Sequence, residues 1–358
     1  MADGGETAVA PARTEGGRRA RRPTLAAVAA RAGVSLKTAS RVLNDEPNVA
    51  AATRDRVRTA AHDLGFRRNA VAADLARGGS SRLVGFVTGD LANPFYSAIA
   101  SGIERELRGR GLQLITASTD EDAAREVLLT EELSERRVGA LVVTPTSDDH
   151  AALRAELDAG LPVVLIDRPA AGVDADTVVI DNRGGMRAAV EHLLASGHRR
   201  VGLVADVPRL WTARERREAF VAALAEAGVP DPDRYVRDGA HDADRARDLV
   251  TELLALPQPP TALVTANNKI TVGALHALRE RRDGAPGAAA VALVGFDDFE
   301  LADLLDVTVV GYDAAEMGRR AAALAVARAA DPDRPAQLVV VPTRLVPRGS
   351  GEVPPPAG

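Results

Sequence analysis

Two hydrophobic rhythms divide the chain. In residues 24–44, TLAAVAARAGVSLKTASRVLN, apolar positions recur at helical spacing, with Leu25, Val28 and Ala29 on one face and Ala39, Val42 and Leu43 on another. Gly33 stands between them, free to take the positive φ of a sharp helix–helix turn. Thr24 and Ser35 are placed as N-caps. The pattern predicts a helix-turn-helix whose second helix turns Leu36, Lys37, Thr38, Ser40 and Arg41 outward. Such a helix fits a DNA major groove, although the same pattern also fits an ordinary helical hairpin. A third amphipathic helix is expected over 53–64, with Val57, Ala60, Ala61 and Leu64 on one side and Gly65-Phe66 ending it.

From residue 82 the rhythm changes. Short β-branched runs (83–88, 112–117, 140–144, 162–166, 201–205, 262–265 and 291–295) alternate with segments of helical period that end in glycine. This alternation predicts parallel sheets covered by helices on both faces. Such sheets bind ligands at the carboxyl ends of their strands. Here those ends carry GDLANPF, DRP, NNK and GFDD. Each cluster alone is ordinary loop punctuation; four after four strands point to a site.

Composition narrows the function classes. A chain of 358 residues suits about two or three domains. It has no run of about 18 apolar residues, so no membrane span is expected. The Ala/Gly/Arg-rich start has no apolar core, unlike a secretory signal, and the absence of cysteine suits the cytoplasm and excludes thiolate chemistry. Residues 18–78 carry a net charge of +8 whereas 79–358 carry −11, the footprint of phosphate contact by one module only. Only Lys37 and Lys269 are lysines; the dominance of arginine reads as coding bias. Nucleotide-loop, nucleophile-elbow and zincin motifs are missing, so no enzyme and no cofactor is expected. His192 and His198 have no third ligand, which favours a structural role over a metal, and Asp148–Asp149 and Asp297–Asp298 have no third catalytic group.

The run 24–79 resembles the DNA-binding headpiece and hinge of the lactose-repressor (LacI/GalR) family of transcriptional regulators. The resemblance rests on A-R-A-G-V-S, S-R-V-L-N, T-R-x-R-V, L-G-F and N-A-x-A-x-x-L in family order and spacing, and it extends to about residue 350. It implies an N-terminal all-α helix-turn-helix headpiece plus hinge helix, followed by a two-lobed α/β domain like a periplasmic binding protein. The expected boundaries are a disordered basic arm (1–22), headpiece (23–68), hinge helix and linker (69–80), effector-binding and dimerisation domain (81–350) and disordered tail (351–358). The segment LVPRGS at 345–350 would pass for an engineered protease site, yet it directly follows the family's closing P-T-R-L and reads as native.

The resemblance implies that Asn44 joins Thr24, Ser35, Leu36, Lys37, Thr38, Ser40 and Arg41 on double-stranded operator DNA, with Asn69, Ala72 and Leu75 of the hinge on the minor groove. Leu75 would wedge between base steps or pack against its partner's hinge. Carried over by position, the first lobe supplies Asn93, Phe95, Tyr96, Asp167 and Arg168, and the second supplies Arg216, Asn267 and Asp297, with Tyr312 in the last crossover. Trp211 offers a second stacking face or a surface anchor. These groups suit sugar hydroxyls and ring faces. Departures from the family pattern are Ala50, Arg68, Asp74, Ala219, Asn268 and Tyr312. The expected protein is a sugar-responsive homodimeric repressor. A corepressor-dependent regulator binding a purine-like metabolite is the alternative, and the basic headpiece argues against a stand-alone transport protein.

Overall fold

A computed structural model describes residues 23–67, 81–146, 149–287 and 289–356. The chain divides into two compact units at residue 80. The first contains α1 (Leu25–Ala32), α2 (Leu36–Leu43) and α3 (Ala51–Asp63). Thr24 and Ser35 cap as their sequence positions predict, accepting from the N–H groups of Ala27 and Thr38, and Gly33 takes φ +62° at the turn. Val28, Ala39, Val42, Val57 and Ala60 close a small core. Ala50 leaves α3 without a side-chain cap, which costs about 0.5–2 kcal/mol relative to serine. The arm 1–22 and the hinge calls on Arg68, Asn69, Ala72, Asp74 and Leu75 lie outside the described residues.

The second unit holds two six-stranded sheets of matching strand order. The first is built from β1 (Leu83–Thr88), α4 (Pro94–Arg108), β2 (Gln113–Ser118), α5 (Ala123–Glu135), β3 (Ala140–Val143), α6 (Ala151–Asp158), β4 (Val163–Ile166) and β5 (Asp176–Ile180). After α7 (Asn182–Ala195) the plan repeats as β6 (Val201–Val204), α8 (Trp211–Glu226), β7 (Val236–Arg237), α9 (Ala243–Leu254), β8 (Ala262–Thr265), α10 (Asn268–Gly284), β9 (Ala292–Phe296) and β10 (Thr308–Gly311). Then α11 (Ala314–Ala330) and β11 (Leu338–Val341) return to the first sheet, and β12 (Arg344–Val346) closes the second. The strand orders are β2-β1-β3-β4-β5-β11 and β7-β6-β8-β9-β10-β12. All pairings are parallel except β10 with β12. The chain therefore passes between lobes three times, after β5, β10 and β11.

Apolar strands buried on both faces explain the continuous hydrophobic runs. Helix α11 lies against α4 so closely that a Cβ on Gly102 would meet the Ala315 carbonyl at 2.0 Å, and one on Gly318 the Ile99 carbonyl at 2.1 Å. Residues 351–356, expected as a disordered tail, are part of the second lobe. Glu352 accepts from Thr308 Oγ1 at 2.9 Å, and the Val353 carbonyl bonds His198 Nε2 at 2.8 Å, so polar anchors fix a segment whose composition alone suggests disorder. The LVPRGS segment is equally integrated, with Arg348 paired to Asp298 at 2.8 Å and Ser350 Oγ donating to the Leu293 carbonyl at 2.6 Å.

Candidate DNA-reading face and effector site

On α2 the apolar face is spent on the core, which leaves Leu36 and Lys37 exposed. The hydroxyl of Thr38 lies 2.9 Å from that of Ser35, and Asn44 Nδ2 donates to Ser40 Oγ at 3.3 Å. Arg41 lies back rather than reaching freely outward: Nε donates to Glu46 at 3.2 Å and Nη2 to the Pro47 carbonyl at 3.1 Å. Its side chain is 38% exposed, and a surface pair of this kind is worth only about 0–1 kcal/mol, so this arrangement is weakly held.

The cleft between the lobes is lined from both sheets at the carboxyl ends of their strands. In the first lobe, Asn93 caps α4 and brings Phe95 and Tyr96 to the cleft. Phe95 packs against Tyr96 with ring centroids 4.8 Å apart and edge-on to Tyr312 at 5.9 Å, making an apolar wall. Asp167 follows β4 with φ +73°, its N–H donating to the Val178 carbonyl. Arg168 is buried and spends every donor inside its own lobe. Nε reaches Asp167 (3.2 Å), Nη1 reaches Glu121 (2.8 Å) and the Pro145 carbonyl (3.0 Å), and Nη2 reaches Glu121 (2.6 Å) and Tyr96 Oη (2.9 Å). Burial opposes its charge, yet Tyr96, Glu121 and Asp167 outweigh that and hold its pKa well above the ordinary value. Burial also raises the Asp167 carboxyl, against the pull of Arg168 and Arg216.

The second lobe repeats the aspartate. Asp297 follows β9 with φ +71°, and its N–H donates to the Val310 carbonyl. Its carboxylate accepts from Tyr312 Oη at 2.7 Å and from the Asn268 N–H at 3.3 Å. Arg216 lies over the Phe296 ring at 3.9 Å, donates to Asn182 Oδ1 at 2.7 Å and to the Ala266 carbonyl, and stands 3.7 Å from Asp297. Burial, then Asp297, pushes the Tyr312 phenol far up. Asn267 caps α10 and donates to Asp206, which also faces His241 Nδ1 at 3.0 Å.

Among the described residues, three hydrogen bonds made by side chains join the lobes across the mouth. Lys269 Nζ meets Asp90 at 2.5 Å, Asn268 Nδ2 donates to Asn93 Oδ1 at 2.9 Å, and Arg209 Nη2 donates to the Glu121 carbonyl at 3.2 Å. Asn268, where the family pattern has Asp, thus uses an N–H that a carboxylate lacks. The cavity they enclose is about 50 Å³, well below the ~300–1,000 Å³ of ordinary ligand pockets, so admission of a ligand requires the lobes to part.

The family description "Periplasmic binding proteins and sugar binding domain of LacI family" matches residues 81–340, and "Bacterial regulatory proteins, lacI family" matches residues 24–69. The chain belongs to the LacI family. It is similar to the transcriptional regulator GalR of Salmonella typhimurium, 32% identical over 94% of this chain and 98% of that protein. Among solved structures it is similar to a transcriptional regulator CelR–cellobiose complex (TM-score 0.68, 31% identity, 92% of this chain and 100% of the other). It is also similar to the Lac repressor dimer bound to operator and an anti-inducer (TM-score 0.78, 26% identity, 92% and 99%). As a LacI-family member it is a DNA-binding transcriptional regulator and not an enzyme.

Placed against this LacI-family cleft, most of the expected residues converge: Asn93, Phe95, Tyr96, Asp167, Arg168, Arg216, Asn267, Asp297 and Tyr312 all line it. Trp211 does not. On α8 it sits five residues before Arg216, about 140° round the helix at 100° per residue, whereas Thr212 and Ala213 share the arginine's face and line the cleft. Arg168 is present but has no N–H left to fork across a ligand. Sequence reasoning missed Glu121, Asp206 and His241, and held Asp90 and Lys269 only as members of the GDLANPF and NNK clusters. Lys269 carried a usable signal, as one of two lysines in a chain that otherwise uses arginine.

Proposed function

We propose that this regulator represses carbohydrate-utilisation genes, binding a palindromic operator as a cytoplasmic homodimer and leaving it when a small sugar or sugar derivative occupies the cleft. The observation that carries this reading is the pairing of Asp167 and Asp297 in matching left-handed turns beside an apolar wall of Phe95, Tyr96 and Tyr312. Carboxylates accept from sugar hydroxyls, and aromatic faces cover the apolar side of a pyranose ring. The solved cellobiose complex and the ribose operon repressor of Escherichia coli, 29% identical, support the same class. Leu301, Leu304 and Leu305 are exposed on the second lobe, Leu304 by 76%, which suits cover by a second copy. A two-fold dimer presents two identical reading heads and so favours a palindrome. Leu36, Lys37 and Arg41 are assigned to base edges, Lys37 or Arg41 facing guanine.

The test is a gel-shift titration on a palindromic operator against its isolated half-site, repeated with a panel of neutral sugars. Expected are tight binding to the palindrome only and release by one sugar class. Arg216→Ala and Asp297→Ala should lose the response and keep operator binding. Arg41→Ala should relax preference at one operator position, whereas equal losses on operator and random DNA would overturn the base assignment. A ligand that tightens operator binding would replace the inducer reading with the corepressor one.

A further inference from the structure

Glu121 is not among the residues that either the motifs or the sugar chemistry call for, yet the fold goes to some length to place it. It follows β2 in the turn Thr119-Asp120-Glu121-Asp122, and both Asp120 (φ +52°) and Glu121 (φ +58°) lie in the left-handed region. Two consecutive non-glycine residues there are strained and persist only when their surroundings enforce them. The turn is held by Asp120, which accepts from Ser118 Oγ (2.8 Å) and Arg125 (2.7 Å), and by the Glu121 N–H, which donates to the Gly89 carbonyl (3.1 Å) and Thr119 Oγ1 (3.2 Å). Gly89 makes room for the side chain: a Cβ there would stand 2.3 Å from Glu121 Oε1 and 2.8 Å from Tyr96 Oη. The result is a buried two-pronged pair with Arg168, at 2.6 and 2.8 Å.

That pair fills the arginine's fork. An open guanidinium fork is the geometry that holds a carboxylate or a phosphate bidentately. With Glu121 in place, no Arg168 donor faces the ligand, and the cleft lining holds five carboxylates against two arginines, one lysine and His241. An anionic ligand meets excess negative charge, while an uncharged polyol meets acceptors for its hydroxyls. We propose that Glu121 is a specificity-determining residue that sets the cleft to take an uncharged polyhydroxylated ligand and to refuse phosphorylated or acidic sugars. The assignment rests on the effector reading of the cleft given above. Its turn also receives Arg209 from the opposite lobe on the Glu121 carbonyl, which ties the charge gate to lobe closure.

Inorganic phosphate is the probe. Calorimetry and thermal shift on the full chain compare the parent, Glu121→Gln, Gly89→Ala and the double variant Glu121→Gln/Arg168→Gln. Glu121→Gln removes the carboxylate that fills the fork and leaves Arg168 paired with Asp167 through Nε alone, so the variant should gain phosphate affinity by about tenfold or more and be stabilised by phosphate. Gly89→Ala keeps both charges but displaces the carboxylate, and should show the same gain if Glu121→Gln fails to fold. The double variant should show none. Equal phosphate affinity in the parent and both single variants, or a gain that survives in the double variant, overturns the assignment. Neutral sugars titrated into the parent keep the two readings apart. No sugar binding alongside a phosphate gain in the variants defeats the effector class alone; sugar binding without that gain defeats the role of Glu121 alone.

Discussion

In the first lobe, a left-handed aspartate, a buried arginine and a tyrosine form a closed set: Arg168 is bonded to Asp167, Glu121 and Tyr96, with nothing left over. In the second lobe the same three residue types meet more loosely. Arg216 stands 3.7 Å from Asp297 and leans on an amide, a backbone carbonyl and the Phe296 ring. The backbone that delivers them is equivalent, since both aspartates follow the fourth strand of their lobe and each donates its N–H to the strand alongside. A duplicated frame therefore carries two charge balances. The first lobe offers an arginine wholly enclosed by its own partners, and the second keeps an arginine whose one carboxylate partner is not in hydrogen-bonding contact.

The largest effect that separates the two is stability on losing the arginine. Arg168→Met strands Glu121 and Asp167 in a buried setting and should cost about 3–5 kcal/mol. Arg216→Met leaves Asp297 with its Tyr312 and Asn268 bonds, so about 1–3 kcal/mol is expected. Thermal and urea unfolding of the full chain measure both. A larger loss for Arg216→Met would reverse the comparison.

The ion pair across the mouth of the cleft is expected to be weaker. Lys269 and Asp90 are partly buried, at 31% and 20% side-chain exposure, and burial acts to raise the Asp90 carboxyl while the Lys269 hydrogen bond and the Ala92 N–H bring it below its usual value. A double-mutant cycle of Lys269→Met with Asp90→Asn should give a coupling of about 1 kcal/mol in thermal unfolding. A coupling near zero would mean that the two lobes meet there without holding one another.

How much of this was legible follows from which interactions are local. The strands at 83–88 and 262–265 and the caps at Thr24 and Ser35 were readable because apolar runs and N-cap chemistry are written within a few residues. Strands β5, β7, β10, β11 and β12 were not, since DTVVI and the other short runs become strands through pairings that their local pattern does not record. Motif positions placed nine expected residues in the cleft because eight sit at a strand end or helix start and Arg216 lies on the inward face of α8. Glu121 escaped because its partner Arg168 is 47 residues away, and the signal that it matters is a pair of positive φ angles that no composition reveals. Trp211 failed for a local reason, its phase on α8.

The smallest expected effect places pH sensitivity at the rim of the second lobe. The first-lobe set is made of Arg, Glu, Asp and Tyr, whereas the second carries His241 beside Asp206. The hydrogen bond to Asp206 raises the His241 pKa, against partial desolvation, so its protonated form is favoured in the folded chain. A raised folded pKa means that this contribution is fully present below the ordinary histidine value of about 6.5 and is lost as pH rises through the folded pKa. His198 has the opposite sign: burial lowers its pKa, so its contribution is present above the ordinary value and fades as pH falls. The two oppose each other in the parent, and only the difference between variant and parent isolates His241. The group is half exposed, so solvent screening limits the effect to a few tenths of about 1 kcal/mol. His241→Gln should therefore melt below the parent at pH 6, with the gap closing towards pH 8.5. A gap that is constant, or that widens with pH, would move the titrating group elsewhere and remove this distinction between the lobes.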